Sequence, residues 1–403
     1  MAMVKLNPHY KKLISSYLFP KIQSKVSEFK QRDAGKTFLN LGIGDVTKPL
    51  PPSIVAALVD ASKELGSEPT MQGYGPSSGY GFLRELIAEN DYKGLKITAD
   101  EVFVSNGAKC DIANIQEILS QENSVAICDP TYPVYLDSNV MAGRTLDFTN
   151  GQYQKIIYLP CLEENNFFPD LPKKPCDIIY LCSPNNPTGI GFTYEELKKW
   201  VNYALENEAL IIFDAAYEAF ITSENVPHSI FEIDNAKKVA IEIKSYSKKC
   251  GFTNIRASYT IVPHDLIIEG QKLNEYWSRR QDTKFGGVPY PIQKAAAATY
   301  SPQGQLEIIQ LIDEYKLQAK VLREGLIDLG FTVYGGVDAP YVWCKSQKSS
   351  WEFFDDLLEN HQIITIPGEG FGHAGKGFVR FSAFAPLQII KEALNRLSLC
   401  VTQ

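Results

Sequence analysis

The sequence predicts an α/β fold, with a large domain built on a mainly parallel sheet flanked by helices and a smaller α+β domain beside it. Between about residue 100 and residue 262, short β-rich runs alternate with helical patterns, as a parallel sheet covered by helices requires. After about residue 290 this alternation ends and a long helical tract begins. The 403 residues are enough for two or three domains of roughly 150 residues each.

Six strands are predicted in the first region. Runs such as 178–181 and 210–213 are apolar throughout, which is typical of strands buried on both faces of a sheet. The predicted strands are Glu101–Ser105, Ser124–Cys128, Asp177–Cys182, Ala209–Phe213, Val239–Ile243 and Ala257–Val262. Between them, Thr193 and Glu196 have capping-box spacing and open a helix with one apolar face, and a further helix is predicted over Asp111–Leu119.

The second region predicts the smaller domain. Its predicted elements are a long helix over Gln303–Leu329, β-like runs at Thr332–Tyr334 and Tyr341–Lys345, and helices near Trp351–Glu359 and Gln388–Leu399. The first fifty residues contain an amphipathic helix near Ile22–Phe29 and do not continue the sheet pattern. We therefore expect a large domain of residues 50–290 and a small domain of residues 1–49 and 291–403.

Composition excludes several classes of function. With 40 basic and 47 acidic residues the formal charge is −7, so the strongly basic face of a nucleic-acid-binding protein is absent. No apolar stretch approaches the roughly 18 residues of a membrane span, and the N-terminus lacks the apolar segment of a secretion signal. We expect a cytoplasmic protein with no nucleic-acid or membrane partner, without excluding organelle targeting of a precursor.

The cysteines and histidines predict no metal site. The eight cysteines contain no C-x-x-C pair, and most lie in apolar runs, so we expect them to be small buried side chains rather than disulfides. The five histidines are dispersed and have no metal-ligand spacing.

Polar residues follow the predicted strands, at the sheet edge where doubly wound folds gather their functional groups. The segments concerned are residues 105–109, 129–133, 183–189, 214–217 and 245–256. Around Ala108 the chain enters a helix, where backbone N–H groups can approach an anion. Hydroxyl groups at Ser245 and Ser247 and the fixed charge of Arg256 add to this set. Together they predict a phosphate site.

Two further groups in these segments predict the chemistry. Asp214 directly follows four apolar residues, so we expect a buried carboxylate. One of the adjacent Lys248 and Lys249 could bond covalently to an aldehyde if burial and a neighbouring cation lower its pKa. A phosphate site, such a lysine and a carboxylate able to pair with a protonated ring nitrogen are together what pyridoxal phosphate requires.

The same segments carry a family resemblance. The runs Asn-Asn-Pro-Thr-Gly at 185–189, Asp-Ala-Ala-Tyr at 214–217 and Ser-x-Ser-Lys-x-x-Gly-x-x-x-x-Arg at 245–256, in this order, resemble the fold-type I pyridoxal-phosphate aminotransferases. With Leu-Gly-Ile-Gly-Asp at 41–45 and Phe-Val-Arg-Phe-Ser at 378–382, the chain more closely resembles the LL-diaminopimelate aminotransferase family, from about residue 7 to residue 399.

The resemblance implies an activity and an assembly. The expected reaction converts LL-diaminopimelate and 2-oxoglutarate to tetrahydrodipicolinate and glutamate, a step of lysine biosynthesis. The implied partners are small amino and keto acids and a second copy of the chain, in a homodimer with shared active sites.

The resemblance also implies residue roles. As catalytic residues, Lys248 would hold the cofactor and move the substrate α-proton, Asp214 would keep the ring nitrogen protonated, and Tyr217 would bond the phenolic oxygen. The implied cofactor-binding residues are Tyr74 reaching in from the partner subunit, Ala108, Lys109, Tyr132, Asn186, Asp214, Tyr217, Ser245, Ser247, Lys248 and Arg256. The implied substrate-binding residues are Tyr17, Gly44, Lys109, Tyr132, Asn186 and Arg380, and Arg380 would clamp the α-carboxylate.

Some positions depart from the family pattern. Gly286 stands where the family usually has asparagine, Asn254 where it has glycine, and Asn106 where it has aspartate. Ser77 and Ser78 stand where an acidic or amide pair is expected beside Tyr74. These differences leave open a related aminotransferase acting on lysine-like or aromatic amino acids.

Two further alternatives concern individual features. A non-catalytic pyridoxal-phosphate sensor module would need a basic DNA-binding region, which the sequence lacks. Lys249 is only a neighbour of the proposed reactive lysine, and for it we expect the ordinary solvated surface position.

Overall fold

The computed structural model describes residues 3–13, 18–33 and 35–401. Its α-helices are α1 Leu18–Arg32, α2 Pro52–Leu65, α3 Gly81–Asp91, α4 Ala108–Asn114, α5 Val134–Met141, α6 Tyr194–Glu206, α7 Tyr246–Lys249, α8 Leu273–Lys284, α9 Tyr290–Ala298, α10 Pro302–Asp328, α11 Ser350–His361 and α12 Leu387–Val401. Its strands are β1 Leu39–Asn40, β2 Val102–Ser105, β3 Val125–Asp129, β4 Phe148–Thr149, β5 Gln152–Tyr153, β6 Ile156–Pro160, β7 Ile178–Cys182, β8 Leu210–Asp214, β9 Ala240–Ser245, β10 Ser258–Ile261, β11 Ile267–Ile268, β12 Gln271–Lys272, β13 Val333–Gly335, β14 Tyr341–Lys345, β15 Ile363–Ile364, β16 Ile366–Pro367 and β17 Phe378–Ser382.

A seven-stranded sheet forms the larger part of the fold. Its strand order is β2-β10-β9-β8-β7-β3-β6, and β10 runs antiparallel to both of its neighbours. The remaining pairs are parallel. Every residue of β3, β7 and β8 is buried, which confirms the prediction of strands covered on both faces. Because β3, β7, β8 and β9 run in one direction, their carboxyl ends share one edge of the sheet.

The six predicted strands of this sheet are confirmed with shifts of one or two residues, and one strand was not predicted. The edge strand β6 has the run Ile-Ile-Tyr-Leu, which would have supported its prediction. The fifth predicted strand continues to Ser245, so Lys248 lies in the single helical turn α7 that directly follows it. The helix predicted over Asp111–Leu119 is instead α4 followed by a short 3-10 segment.

The predicted N-terminus of α6 is confirmed. The hydroxyl of Thr193 accepts a hydrogen bond from the backbone N–H of Glu196 at 3.2 Å, which satisfies one of the free amides of the first turn. One face of the helix is buried, including Leu197, Trp200 and Val201. This helix covers the large sheet because its apolar side chains join the core formed with β7 and β8.

A four-stranded antiparallel sheet forms the smaller part of the fold, in the order β13-β14-β17-β16. The N-terminal segment joins it: β1 pairs in parallel with β15, and the N–H of Ser382 donates to the carbonyl of Leu41 at 2.6 Å. The loop after residue 41 therefore lies beside the end of β17. The division of the chain at residues 49 and 290 remains a prediction.

Two other sequence features can be located in this fold. Seven cysteines have described side chains, all of them free thiols, and six of these are buried. No helix of the described ranges is long and apolar enough to span a bilayer.

Candidate functional site

A cavity of about 610 Å³ lies at the carboxyl ends of the parallel strands, between the large and the small sheet. It gathers twelve of the residues that the sequence predicted for the site. These are Gly44, Ala108, Lys109, Tyr132, Asn186, Asp214, Tyr217, Ser245, Ser247, Lys248, Arg256 and Arg380. The chain segments that carry them are as much as 336 positions apart in sequence, and the two sheets bring them together.

Tyr74, which was also predicted for the site, is not among the residues that line this cavity. The side chain of Tyr74 is fully exposed on the surface of the chain, at 105% of its reference area. Tyr17 lies outside the described residues.

An anion-binding arrangement occupies one end of the cavity. The guanidinium of Arg256 donates to the hydroxyl of Ser247 at 3.3 Å and to the carbonyl of Thr253 at 3.1 Å, both neutral acceptors. It packs against the chain where α4 begins: a Cβ added at Gly107, whose φ is +103°, would lie 1.9 Å from the Arg256 Nη2 atom. Glycine is therefore required for this close approach. The cation and the neighbouring hydroxyls suit a phosphate group.

Lys248 lines the cavity, and its ammonium donates to the carbonyl of Gly44. Burial lowers the pKa of its amine to about 8, and the neighbouring cations Arg380 and Arg256 act in the same direction, whereas Asp45 opposes them. A larger share of the amine is therefore neutral and nucleophilic near neutral pH than for an exposed lysine.

Lys249 has different surroundings, and the expectation of a solvated position for it is wrong. Its ammonium pairs with Asp91 at 3.2 Å and with Glu218 at 3.4 Å, and its side chain is only 21% exposed. Although burial opposes the change, these two carboxylates raise the pKa of Lys249 above the ordinary lysine value. The ion pairs also fix the turn α7 that carries Lys248.

Asp214, the last residue of β8, is a buried carboxylate, as the sequence predicted. Its Oδ2 accepts from the hydroxyl of Tyr135 at 2.7 Å and its Oδ1 from the N–H of Ala216 at 3.1 Å. Burial raises the pKa of Asp214 to about 6, although both hydrogen bonds favour the charged form.

Tyr135 was missed by the sequence analysis. It lies three residues after Tyr132, on the first turn of α5, and the two rings make an edge contact with centroids 5.9 Å apart. The nearness of this second tyrosine to Tyr132 was the available signal, because the chain turns before α5 and the N–H of Tyr135 donates to the carbonyl of Tyr132 at 3.3 Å.

A second cation, Arg380, also lines the cavity. It is 1% exposed, donates to the Asn186 Oδ1 atom at 2.6 Å and donates to the carbonyl of Gly42 at 3.0 Å. Its buried Nε has no hydrogen-bond partner among the described residues. A guanidinium has five N–H donors, so this neutral environment leaves capacity for a carboxylate ligand.

Tyr341 was also missed as a site residue. It lines the cavity, its hydroxyl is 2.9 Å from that of Tyr217, and its ring centroid is 4.2 Å from the guanidinium carbon of Arg380. Its position at the start of β14, in the run Ala-Pro-Tyr-Val-Trp, was the signal in the sequence.

Comparison with known proteins identifies the family. The model of the family described as aminotransferase class I and II matches residues 36–397. The chain belongs to this family. The predicted fold class and the predicted aminotransferase activity are thereby confirmed, while the roles of individual residues remain predictions.

Several relatives of this aminotransferase are similar over nearly their full length. The chain is 51% identical to a protein of Desulfotalea psychrophila named LL-diaminopimelate aminotransferase, covering 98% of this chain and 99% of that protein. It is 50% identical to a protein of the same name from Methanosphaera stadtmanae, covering 98% of each. The solved structure of L,L-diaminopimelate aminotransferase from Chlamydomonas reinhardtii superposes with a TM-score of 0.95 at 41% identity, covering 98% of each chain.

The aminotransferase shows no metal-binding cluster in the described ranges, where no three histidine, cysteine, aspartate or glutamate side chains converge.

The two adjacent lysines should differ in reactivity with pH. In the cofactor-free protein, we expect an amine-acylating reagent to modify Lys248 with a rate that is half-maximal near pH 8 and levels off at higher pH, because the neutral amine is the nucleophile and its pKa is lowered to about 8. Lys249 should stay unmodified to higher pH, since its ion pairs hold the proton. Peptide mass spectrometry of samples labelled at each pH measures both sites in one experiment.

The denatured protein is the control, because both lysines should there titrate together near the ordinary lysine pKa of roughly 10.4. Equal midpoints for the two lysines in the native protein would contradict the assignment of Lys248 as the reactive amine.

The substitution Gly107→Ala should damage the anion site. The added Cβ would occupy the position of the Arg256 guanidinium, so we expect the dissociation constant of pyridoxal phosphate to rise by roughly 10- to 100-fold, as for the loss of one charged hydrogen bond. Equilibrium dialysis of the cofactor-free protein measures it. Gly94→Ala is the matched control, since Gly94 also has a positive φ of +83° but nothing within 4 Å of its added Cβ. Equal weakening in both variants would show that backbone strain, and not Arg256, is responsible.

Proposed function

We propose that this chain is a pyridoxal-phosphate-dependent aminotransferase that converts LL-diaminopimelate and 2-oxoglutarate to tetrahydrodipicolinate and glutamate. One observation carries the proposal: a single cavity holds an amine of lowered pKa, Lys248, within electrostatic range of two fixed guanidinium groups, Arg256 and Arg380. One cation suits the phosphate of the cofactor and the other the α-carboxylate of an amino acid, and both act on the amine of Lys248. The names of the relatives support the choice of substrate.

The residues fit pyridoxal phosphate at each of its polar groups. Arg256 with the hydroxyls of Ser245 and Ser247 suits the phosphate, and Lys248 suits the aldehyde. Asp214 suits the ring nitrogen, because its described hydrogen-bond donors are neutral and each carboxylate oxygen retains a free lone pair. The amides of Ala108 and Lys109 would add to the phosphate site.

When bound, pyridoxal phosphate supplies an aldehyde carbon and a ring that accepts the electrons released at the substrate α-carbon. Lys248 would hold the cofactor and carry the proton of the substrate α-carbon. Asp214 would keep a proton on the ring nitrogen. Tyr217 and Asn186 would donate hydrogen bonds to the phenolic oxygen, and Tyr132 would border the ring and exclude water.

The same cavity would receive the amino-acid substrate. Arg380 clamps the α-carboxylate, which satisfies the donor capacity that its neutral partners leave open. Diaminopimelate carries a second carboxylate and a second ammonium at its far end. Lys109, which lines the cavity beside Gly44 and Tyr132, supplies a cation that suits the distal carboxylate.

A homodimer follows from the proposed site. Tyr74 is fully exposed on the single chain and lies outside its cavity, so a phosphate contact from it requires the facing subunit. The predicted cytoplasmic location belongs to this proposal as well.

A second candidate function keeps the reaction and changes the substrate to a lysine-like or aromatic amino acid. The observation that favours it is Gly286, where the related family has an asparagine and where an added Cβ would meet nothing within 4 Å. The site would then have one fewer polar group for the far end of diaminopimelate.

The visible absorption spectrum of the purified, cofactor-loaded protein tests both candidates. We expect LL-diaminopimelate and glutamate, added separately, each to convert the band of the aldehyde form to that of the amino form. Lysine and tyrosine should do so far more slowly. A clear preference for lysine or tyrosine over diaminopimelate would replace the first candidate by the second.

The variant Lys248→Ala tests the mechanism. It should still bind the cofactor through its phosphate but lose turnover by several orders of magnitude, as the removal of a covalent catalyst and proton carrier requires. Lys249→Ala is the matched neighbour, and we expect it to retain measurable turnover. Normal turnover by Lys248→Ala would refute the assignment.

The variant Gly286→Asn tests whether the asparagine missing at position 286 matters for substrate recognition. Because its φ is not in the left-handed region and the space is empty, we expect the protein to fold normally. If the missing asparagine limits substrate recognition, KM for LL-diaminopimelate should fall by roughly 5- to 10-fold, the value of one polar hydrogen bond, while KM for glutamate stays unchanged. Equal KM values for both proteins would show that another group already fills this role.

A further inference from the structure

Tyr341 touches two different parts of the proposed reaction site. It is the first residue of β14 and is fully buried, with 0% of its area exposed. Its hydroxyl lies 2.9 Å from the hydroxyl of Tyr217, which follows a strand of the large sheet. Its ring face lies 4.2 Å from the guanidinium carbon of Arg380, which belongs to the small sheet. The two contacts use different parts of one side chain.

Strand register fixes the contact with Arg380. Tyr341 pairs with Ser382 across β14 and β17, and Arg380 lies two residues before Ser382 on the same face of the sheet. The guanidinium is therefore a diagonal neighbour of the ring. Its two terminal nitrogens are held by Asn186 and by the carbonyl of Gly42, so the ring faces a cation whose plane is already restrained.

We propose that Tyr341 is a positioning residue that couples the two ends of the site: its hydroxyl orients Tyr217 toward the phenolic oxygen of the cofactor, and its ring orients Arg380 toward the substrate α-carboxylate. The proposal rests on the proposed function, since it takes the roles of Tyr217 and Arg380 from there.

The hydroxyl contact determines how Tyr341 affects the hydrogen bond that Tyr217 donates. A phenol has one O–H donor, so when Tyr217 donates to the cofactor its own oxygen is left to accept, and Tyr341 is the described donor within reach. An O–H group whose oxygen accepts a hydrogen bond is itself a stronger donor. Tyr341 therefore strengthens the bond that Tyr217 makes to the phenolic oxygen.

The charged and titratable groups around the two hydroxyls come from three other elements. They are Arg380 from β17, Cys182 from the end of β7 and Asp45 from the loop after β1. Among these groups Arg380 is the cation, and it also favours a negative charge on either tyrosine oxygen. The effect of Arg380 must therefore be measured separately from that of the hydrogen bond between the two tyrosines.

The ring contact acts on the cation. A planar guanidinium is stabilised over the face of an aromatic ring, and the attraction is larger where water is excluded. Phe371 provides a second aromatic contact, 5.0 Å from the same guanidinium carbon. A phenylalanine at position 341 would preserve this packing, whereas an aliphatic residue would not.

Two variants separate the two contacts. Tyr341→Phe removes only the hydroxyl, so the pH midpoint of the visible band of the bound cofactor should rise by roughly half a pH unit, the effect of one weakened neutral hydrogen bond, with KM for glutamate within about twofold of wild type. Tyr341→Leu removes both contacts, so the same midpoint shift should be joined by a rise in KM for glutamate of roughly tenfold. Spectrophotometric pH titration and half-reaction kinetics measure the two quantities.

Control variants test whether the two effects are specific to Tyr341. Tyr334→Phe removes a hydroxyl from the same small sheet, where it bonds Glu163 outside the cavity, and should move neither quantity. Tyr341→Met replaces Tyr341→Leu if the latter does not fold, as judged by thermal melting. An unshifted midpoint in Tyr341→Phe, or an unchanged KM in the aliphatic variant, overturns the coupling.

The KM values would follow a different pattern if the proposed role of Arg380 were itself wrong. If Arg380→Lys leaves KM for glutamate unchanged, Arg380 is not the carboxylate clamp and the proposed function of that residue is wrong. If Arg380→Lys raises KM and the Tyr341 variants do not, only the inference about Tyr341 is wrong.

Discussion

The electrostatics of one buried cavity govern the rest of this structure. Arg256, Arg380 and Lys248 all face it, and the described hydrogen-bond partners of the two guanidinium groups are neutral. With Lys109 added, the protein concentrates positive charge in a buried cavity, which favours anionic ligands and disfavours a further cation at Lys248. The lowered pKa of Lys248 is a direct consequence. An aminotransferase needs both effects, because it holds two anions and requires a neutral amine.

The fold explains how these cations are kept apart from the acidic groups of the core. The single turn α7 directs Lys248 into the cavity, while the next residue, Lys249, pairs with Asp91 and Glu218. These two carboxylates, which Lys249 neutralises, do not line the cavity. Two carboxylates do line the cavity: Asp45, from the loop after β1, and Asp214, which enters from the end of β8 with only neutral hydrogen-bond donors around it. The raised pKa of Asp214 marks the energy required to keep that carboxylate charged, which a protonated ring nitrogen would offset.

Sequence alone could predict the parts of the site that follow from chain-local patterns. A polar residue after an apolar run identifies Asp214, and the Ser-x-Ser-Lys pattern identifies Lys248, because parallel strands deliver their carboxyl ends to one edge. Local patterns mark the positions of Tyr135 and Tyr341 but do not predict their roles, since these arise from hydrogen bonds to residues 79 and 124 positions away. Lys249 was misjudged for the same reason: one of its carboxylate partners is 158 positions distant.

The large and the small sheet carry different groups of the proposed site, and the loop after β1 contacts groups from both sheets. The large sheet carries the proposed cofactor residues, whereas the small sheet carries Arg380. The carbonyl of Gly42 accepts from Arg380, and that of Gly44 accepts from Lys248, so one short loop contacts both the clamp and the amine. A Cβ at Gly42 would lie 2.8 Å from the backbone oxygen of Thr365, so this loop must contain glycine to pass between the sheets. The group proposed for the far end of the substrate, Lys109, lies at the start of α4, whereas Gly286 lies in the loop between α8 and α9. Gly286 does not line the cavity, so a substitution there leaves in place the buried charges on which the chemistry depends.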